Sequence, residues 1–315
     1  MALTLKIAAL RDETDRIRVF DLIARDGGSL PSYTPGAHLD FDLGDLGTRS
    51  YSLIDWPDDE DTTHHYQIAV QREDDGDGGS KRMHSLAVGD VVAAKGPEND
   101  FELTDHTGPV VLFAGGIGVT PLISMATHLM RTGRSFTFVY TARSRDVMGF
   151  STLLDSHFGS ALRLHFDDTD PLDLGTLMAD FAPDTHLYIC GPRGMIDAAR
   201  TAATTIGLPE TQIRVELFSN TATAIGDTSF EVEISSTGQV FDIPPGQSII
   251  EVLEDAGVDL VYDCQRGDCG ICQTDVISGI PDHRDVVLTQ AERESGKLMQ
   301  ICVSRAISPR LVLDL

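Results

Sequence analysis

Residues 264–272, CQRGDCGIC, contain three cysteines in C-x4-C-x2-C spacing, and a fourth cysteine follows at position 302. A tight loop with three thiolates and a later fourth thiolate form the plant-type ligand pattern of a [2Fe–2S] cluster. Gly267 and Gly270 allow such a loop to curl its backbone closely around inorganic sulfide. Because a cluster of this type carries one electron, the pattern predicts electron transfer. The predicted metal ligands are Cys264, Cys269, Cys272 and Cys302.

Two other uses of these cysteines are less well supported. A tetrahedral zinc site usually has two C-x2-C hooks or a second half with histidine, and this sequence has one hook. Disulfides would imply secretion, but residues 1–6, MALTLK, lack the charged-then-apolar pattern of a signal peptide. We therefore expect a cytoplasmic protein whose thiols stay reduced.

Length and charge restrict the possible partners. At 315 residues the chain is too long for one ordinary core, and it suggests two or three domains. With 41% hydrophobic residues it can pack as a globule, and no apolar run is long enough to cross a bilayer. A net charge of −25 argues against nucleic acid and against an anionic membrane surface. The acidity either attracts a basic protein partner or maintains solubility.

Three segments follow one another along the chain. Residues 1–106 contain short alternating strands between turns, which predict an antiparallel barrel or sandwich. Residues 107–222 alternate buried strands with helices, which predicts an α/β domain with a mainly parallel sheet. Residues 219–228 read as a flexible linker, and residues 229–315 have the element order of a small ferredoxin-like β-grasp domain.

The first segment contains two short motifs that suit a phosphorylated ring cofactor. The motif RSYS at residues 49–52 combines an arginine for a phosphate, an aromatic ring to cover a flat ring system and hydroxyls that can bond ring nitrogens. The motif GGS at residues 78–80 can expose backbone N–H groups to an anion, although it can also be a plain turn. The residues concerned are Arg49, Ser50, Tyr51, Ser52, Gly78, Gly79 and Ser80.

The second segment contains two glycine-rich turns at strand ends. Residues 114–121, AGGIGVTP, lie between an apolar strand and a helix, where a dinucleotide's pyrophosphate can approach the helix N-terminus. Residues 190–195, CGPRGM, also join a strand to a helix, at the sheet edge where such folds bind ligands. The candidate nucleotide-binding residues are Gly115, Gly116, Gly118, Thr120, Cys190, Gly191 and Pro192.

In order and spacing, these motifs resemble those of the phthalate dioxygenase reductase and vanillate O-demethylase reductase family. That family belongs to the ferredoxin–NADP reductase superfamily and has a C-terminal plant-type ferredoxin domain. The resemblance covers nearly the whole chain and includes ELF at residues 216–218 and PDHRD at residues 281–285. It implies FMN in the barrel, NADH on the α/β domain, and electron delivery to a terminal Rieske-type oxygenase. The short 78–80 loop favours FMN over FAD.

The resemblance also implies roles for individual residues. Arg49 and Ser80 would hold the FMN phosphate, and Tyr51 and Phe218 would pack against the isoalloxazine. Ser52 would lie near N5. Thr120 and Cys190 would border the nicotinamide, so the implied catalytic residues are Ser52, Thr120 and Cys190.

Two departures from the family pattern affect this assignment. Where the family commonly has Arg-Asn-x-Phe after Gly-Pro, this chain has Glu98 in the arginine position. Arg143 and Arg145 follow a predicted strand near where a 2′-phosphate would be read, and they keep NADPH open as an alternative to NADH.

The resulting hypothesis is a relay from NADH through FMN and the cluster to an oxygenase, since nicotinamide gives two electrons and the cluster takes one. Acidic residues near the cysteine loop, including Asp259, Asp263 and Asp268, are candidate partner contacts. Three alternatives are a cytochrome P450 as electron acceptor, a non-enzymatic iron–sulfur sensor and a flavin-only reductase. The last leaves the ferredoxin segment unexplained.

Overall fold

The computed structural model describes residues 1–59, 63–218 and 226–315. These residues form two compact units, Met1–Glu216 and Leu217–Leu315. Residues 219–225 of the predicted linker lie outside the described residues. Within the described ranges, no helix has both the length and the apolar character that a membrane crossing requires.

The first unit begins with a closed β-barrel in which all strand pairs are antiparallel. Its strands are β1 (Ala2–Asp12), β2 (Ile17–Ala24), β3 (His38–Asp42), β4 (Thr48–Ile54), β5 (Tyr66–Gln71) and β6 (Val91–Glu98), with a short helix α1 (Gly79–His84) after β5. Around the barrel the order is β1-β2-β5-β4-β3-β6. On β3, Leu39 and Phe41 are fully buried in the barrel interior, whereas the alternate residues Asp40 and Asp42 are not. This alternation confirms the predicted antiparallel barrel.

A five-stranded parallel sheet follows, as predicted. Its strands are β7 (Val110–Gly115), β8 (Phe136–Ala142), β9 (Leu162–Phe166), β10 (His186–Cys190) and β11 (Ile213–Glu216), in the order β11-β10-β7-β8-β9. The helices between them are α2 (Val119–Arg131), α3 (Ser151–Phe158), α4 (Leu174–Met178) and α5 (Arg193–Thr205). Every residue of β7 is buried, as expected for a central strand that is covered on both faces.

Helix α2 joins the barrel to the sheet within this first unit. Ser124 donates a hydrogen bond to the carbonyl of Leu53 at 2.5 Å, and Thr127 donates one to the carbonyl of Asp55 at 2.7 Å. Ile17 of the barrel belongs to the same buried cluster as the apolar residues of α2. Strand β4, which carries the RSYS motif, is therefore fixed against the helix that begins after the glycine-rich turn at residues 115–118.

The second unit is built around a mixed sheet in the order β13-β12-β18-β14-β16, with β12 and β18 parallel. Its strands are β12 (Phe230–Ile234), β13 (Val240–Ile243), β14 (Gln273–Ser278), β15 (Pro281–Asp282), β16 (Leu298–Gln300), β17 (Arg305–Ala306) and β18 (Arg310–Leu313), and its helices are α6 (Ile249–Asp255) and α7 (Gln290–Ser295). Ser248 and Glu251 form a capping box at the start of α6. The apolar core includes two of the cysteines, Cys272 and Cys302. This is the predicted β-grasp arrangement.

Candidate functional site

The cysteine loop, residues 264–272, has an irregular backbone shaped by left-handed residues. Gln265, Gly267 and Gly270 all have positive φ, at 51°, 80° and 82°. A Cβ at Gly267 would lie 2.5 Å from a methyl carbon of Val303, so this position has no room for a side chain. Glycine is therefore required for both the conformation and the close approach.

The loop supplies three of the predicted ligands and Cys302, just after β16, supplies the fourth, and all four are free thiols. The thiol of Cys264 interacts most strongly with Cys269, and the thiol of Cys272 interacts most strongly with Cys302. These contacts lower the pKa of Cys264 and Cys272 and raise the pKa of Cys269 and Cys302. Contact between Cys264 and Cys302 links the two pairs.

The spacing of the sulfurs fits two metal ions better than one. Sulfurs around a single tetrahedral zinc lie about 3.8 Å apart, given Zn–S bonds of about 2.3 Å. Across the described chain, no three cysteine sulfurs all lie within 4.8 Å of one another. Two linked cysteine pairs match the two thiolates that each iron of a [2Fe–2S] cluster requires. The four residues therefore fit this cluster.

Neighbouring groups support the loop. Cys272 Sγ donates to Gln300 Oε1 at 3.4 Å, and the Arg266 backbone N–H donates to Cys264 Sγ at 3.4 Å. The Asp268 side chain is only 3% exposed and accepts a hydrogen bond from the Leu217 N–H at 3.2 Å. Burial raises the pKa of Asp268 to about 7.

The expectation that Asp268 contacts a partner protein at the surface is therefore wrong. Its carboxylate is held inward by the Leu217 N–H and by the Arg266 guanidinium, whose Nε lies 3.4 Å away. Asp259 and Asp263, the other two acidic candidates, are exposed.

In the barrel, the structure brings Arg49 together with the 78–80 turn. A Cβ at Gly79 would lie 2.8 Å from Arg49 Nε, so the arginine lies directly across the glycine. Gly78 adopts φ of 90°, which favours glycine. Arg49 also lies 3.7 Å from the highly exposed carboxylate of Asp77. Ser80 Oγ accepts a hydrogen bond from the Glu73 N–H at 2.9 Å.

The three other residues of the RSYS motif have different environments. Ser50 donates to Asp40 Oδ1 at 2.5 Å, and Tyr51 packs on Phe41 with ring centroids 5.7 Å apart. Burial raises the pKa of Tyr51 to about 12. The hydroxyl of Ser52 is buried and has no hydrogen-bond partner within the described structure. An unpaired buried hydroxyl costs about 1–3 kcal/mol, so Ser52 fits a position that a polar atom of a bound cofactor completes.

At the carboxyl edge of the parallel sheet, the two glycine-rich turns contact each other. A Cβ at Gly118 would lie 2.3 Å from the Cys190 carbonyl oxygen. A Cβ at Gly191 would lie 3.0 Å from Gly115 Cα. Thr120 is buried, and its hydroxyl donates to the Ile117 carbonyl at 3.1 Å. The predicted nucleotide-binding residues thus form one continuous edge, as expected when β7 and β10 are neighbours.

Glu216, the first residue of the ELF motif, is a candidate functional residue that the predicted site did not include. It is 3% exposed, and its Oε2 lies 3.9 Å from Cys190 Sγ. Glu216 ends β11 directly beside the end of β10, where Cys190 stands. Its place at the carboxyl end of a parallel strand was a signal that it could belong to the ligand-binding edge.

Three further sequence candidates have less defined surroundings. Phe218 belongs to the second unit, and 42% of its surface is exposed. Arg143 is exposed, and the guanidinium of Arg145 lies 4.7 Å from the centroid of the Phe166 ring. The described residues leave the choice between NADH and NADPH to the comparisons below.

Comparisons with known proteins identify the family. Residues 232–306 match the family described as "2Fe-2S iron-sulfur cluster binding domain". A vanillate O-demethylase oxidoreductase from Pseudomonas sp. (strain HR199 / DSM 7063) is 39% identical over an alignment of 315 positions that covers 98% of each chain. The solved structure of a phthalate dioxygenase reductase, described as modular for electron transfer from pyridine nucleotides to [2Fe–2S], is 37% identical. It matches with a TM-score of 0.74 over 100% of this chain and 98% of its own.

A third similarity is to a longer protein. The structure of an intact type IV self-sufficient cytochrome P450 monooxygenase is 34% identical with a TM-score of 0.73. The match covers 100% of this chain but only 41% of that chain.

Taken with the fold and the site, these comparisons define an NADH-dependent flavin and iron–sulfur oxidoreductase, with FMN, a [2Fe–2S] cluster and NADH as its cofactors. The chain belongs to the family that includes phthalate dioxygenase reductase and vanillate O-demethylase oxidoreductase.

Proposed function

We propose that this chain is the reductase component of a two-component oxygenase and that its partner is a Rieske-type non-haem iron oxygenase acting on an aromatic acid or a similar compound. The observation that carries the proposal is the match, over 98% of both chains, to a vanillate O-demethylase oxidoreductase. When bound, FMN would accept the hydride of NADH and release single electrons through the [2Fe–2S] cluster. The proposed domains are residues 1–106 for FMN, 107–222 for NADH and 229–315 for the cluster.

In the barrel, the proposed FMN site uses Arg49, Tyr51, Ser52 and the 78–80 turn. Arg49 lies across Gly79, so its guanidinium and the turn can grip one phosphate together. Ser52 supplies a buried hydroxyl that has no hydrogen-bond partner in the described structure, which supports a role in orienting the ring system. Phe218, with 42% of its surface exposed, is proposed to cover the isoalloxazine.

At the sheet edge, the proposed nicotinamide site uses Thr120, Cys190 and Glu216. The glycines at positions 115, 116, 118 and 191 add no side chain of their own at this edge, which allows a pyrophosphate to approach the backbone. The carboxylate of Glu216 holds the Cys190 thiol in place from the adjacent strand. The residues at this edge would thus position the nicotinamide and exclude water from it.

The proposed docking surface for the oxygenase surrounds the cysteine loop. Asp259 and Asp263 are exposed, as are the apolar side chains of Val261 and Ile271, at 78% and 48%. Two carboxylates beside two apolar side chains suit a partner with a basic rim and an apolar centre. Reversing both charges should slow reduction of the oxygenase and invert its salt dependence, and an unchanged rate and salt slope would contradict this assignment.

A P450 partner is the second candidate. It is favoured by the 34% identity to part of a self-sufficient P450 monooxygenase. The two candidates are separated by supplying the purified, NADH-reduced protein with either the oxygenase of a vanillate O-demethylase or a bacterial P450. The proposal expects product from the Rieske-type oxygenase and at least ~10-fold slower electron transfer to the P450, a difference of about 1.4 kcal/mol in transition-state free energy. The reverse order would establish the P450 alternative.

The cofactor sites are tested separately from the partner. Arg49→Ala should lose flavin during gel filtration, whereas Arg82→Ala, which removes an exposed arginine of α1, should retain it. Flavin released by heat is identified by chromatography, and iron and labile sulfide are measured on the same samples. Equal flavin retention by both variants would remove Arg49 from the site.

A further inference from the structure

A second cluster of metal-binding side chains lies on the barrel, outside the cysteine loop. One ligand atom from each of His38, Asp40 and Glu98 lies within 4.8 Å of the other two. His38 is 4% exposed, Asp40 is partly buried and Glu98 is exposed. The cluster thus runs from a buried imidazole outward to a solvent-facing carboxylate, and none of the assigned cofactors uses it.

Strand pairing explains why these three residues meet. His38 and Asp40 are two positions apart on β3 and so lie on the same face, opposite to the buried Leu39. Asp40 pairs with Lys95 of β6 and His38 pairs with Glu98, so two steps along β3 correspond to three along β6. This bulge brings Glu98 to the face that Lys95 occupies.

The interatomic distances suit donors that share a cation. His38 Nε2 lies 3.6 Å from Asp40 Oδ1, which is longer than the 2.7–3.2 Å of an ordinary N–H···O hydrogen bond. Two donors that share a cation with bonds of about 2.1 Å lie about 3.0–3.4 Å apart. The atoms would therefore need to move by only a few tenths of an ångström to bind one ion.

The surroundings supply an orienting contact and an open side. Ser50 donates a hydrogen bond to Asp40 Oδ1 at 2.5 Å, the kind of outer contact that fixes a ligating carboxylate. Glu98 also lines a cavity of about 220 Å³ together with Tyr33, Ala37 and Asn99. Water and a hydrated ion can reach the Glu98 carboxylate from this cavity.

We propose that His38, Asp40 and Glu98 bind a divalent first-row transition-metal cation. One imidazole nitrogen and two carboxylates give a mixed N and O donor set with two negative charges, which suits Mn²⁺ or Zn²⁺ better than the soft ions that prefer thiolates. Water completes the coordination on the exposed side. The ion would join β3 to β6 beside the strand that carries the RSYS motif, since His38 pairs with Ser52 and Asp40 with Ser50.

A different arrangement would be a set of ordinary ion pairs. Protonated His38 could pair with Asp40, and Lys95, which is paired with Asp40 across the strands, could neutralise it. In the described chain, Lys95 forms no ion pair within 4.0 Å, and its side chain is exposed. The metal site and the ion pairs make opposite predictions for added cation, because ion pairs alone give no saturable binding.

The test follows Mn²⁺ binding by electron paramagnetic resonance (EPR). Free Mn²⁺ gives a six-line EPR spectrum, and the [2Fe–2S] cluster of the oxidised holoprotein gives no EPR signal that would overlap with it. Wild-type protein should remove one equivalent of Mn²⁺ from that spectrum. Glu98→Gln should weaken binding at least ~10-fold, and Asp40→Asn should do so as well. Glu102→Gln, which alters an exposed carboxylate four positions beyond Glu98, should bind like wild type.

Thermal unfolding, measured with and without Mn²⁺, distinguishes a variant that has lost the metal site from one that folds poorly. Bound Mn²⁺ should raise the thermal midpoint of wild type and Glu102→Gln but not that of Glu98→Gln, since a ligand that binds only the native state stabilises it. If wild type shows no saturable binding, or if Glu98→Gln binds as tightly as Glu102→Gln, the proposal is overturned. Flavin and iron contents, measured on the same samples, show whether the relay cofactors are intact in either case.

Discussion

The carboxyl edge of the parallel sheet and the cysteine loop both gather short glycine-containing turns, yet they depend on different forces. At the sheet edge, Gly115 and Gly191 are in contact, and the three atoms nearest to a Cβ at Gly118 are backbone atoms of residues 190–191. Hydrogen-bonded strands hold these turns in place. The cysteine loop has no regular secondary structure between Cys264 and Cys272, and its shape follows from four thiols and a few side-chain contacts. The sheet edge is thus formed by the chain itself, whereas the loop depends on what its sulfurs bind.

The strongest test of this difference replaces one cysteine in each region. Cys272→Ser should lose nearly all iron and labile sulfide and destabilise the second unit, because a buried ligand is removed from the apolar core. Cys190→Ser should keep its iron and sulfide, since this thiol is distant in sequence from the cluster and contacts Glu216. Iron and sulfide assays and anaerobic spectra measure both. If Cys190→Ser also lost iron, the expected difference between the sheet edge and the cysteine loop would be contradicted.

The next test fills the close contact at the sheet edge. Gly118→Ala places a Cβ 2.3 Å from the Cys190 carbonyl, and we expect a loss of about 1–3 kcal/mol in unfolding free energy together with weaker NADH binding. Gly194→Ala, in helix α5 with open space around its Cβ, should be neutral or slightly stabilising. Urea unfolding and NADH titration measure these effects. If both variants had the same unfolding free energy and the same NADH affinity, the backbone at the sheet edge would have shifted to make room for the added Cβ, and the expectation of a rigid edge would be wrong.

Glu216→Gln should change stability less than Gly118→Ala does, but it should clearly slow the reduction of the flavin. The amide keeps the size of the buried carboxylate and removes the charge beside Cys190, so flavin reduction by NADH should slow by roughly 10²-fold if the carboxylate acts in proton handling or positioning. Stopped-flow absorption at the flavin band measures the rate. Glu210→Gln, which alters a surface carboxylate bound to Arg200, is the control. An unchanged rate would remove Glu216 from the site.

The smallest expected effect lies away from both regions and concerns acid. Burial and the neighbouring His186 and Arg134 lower the pKa of His106 from 6.5 to about 4. Because the unfolded chain binds this proton more tightly, the stability of the first unit should fall as pH decreases from about 6.5 to about 4. The His106 side chain is only partly buried, so we expect a loss of about 1 kcal/mol or less after solvent screening.

The measurement is the thermal midpoint between pH 7 and pH 4.5. His106→Phe, which keeps a flat ring next to His186, should lose less stability in acid than wild type, by about 2–4 °C. His128→Phe, at an exposed position of α2, should follow wild type. Acid lability that is equal in all three proteins would assign it to other groups.

Much of the fold could be predicted from local pattern. The apolar strand and the helix that were predicted on either side of the glycine-rich turn correspond to β7 and α2. Spacing alone identified all four cysteines as one set, because a short loop with three thiols has few other uses. The family resemblance placed Arg49 beside the 78–80 turn, and the structure brings them into contact.

Other features depend on residues that are distant in sequence. Asp268 seemed a surface acid because its neighbours are polar, but the curled loop turns its carboxylate inward. Glu216 had no recognisable spacing to Cys190, since the pairing of β10 with β11 alone puts them side by side. Likewise, the bulge between β3 and β6 brings Glu98 to His38.

The amino-acid sequence by itself determined the order of strands and helices and the family, and it predicted the set of cysteine ligands, because these follow from periodicity, spacing and residue type. Only the tertiary structure decided which side chains are buried next to one another: the unpaired hydroxyl of Ser52, the carboxylate beside Cys190 and the cluster around His38. The physical reason is that burial and electrostatic contact depend on strand register and loop curvature, which bring together residues that no local pattern connects.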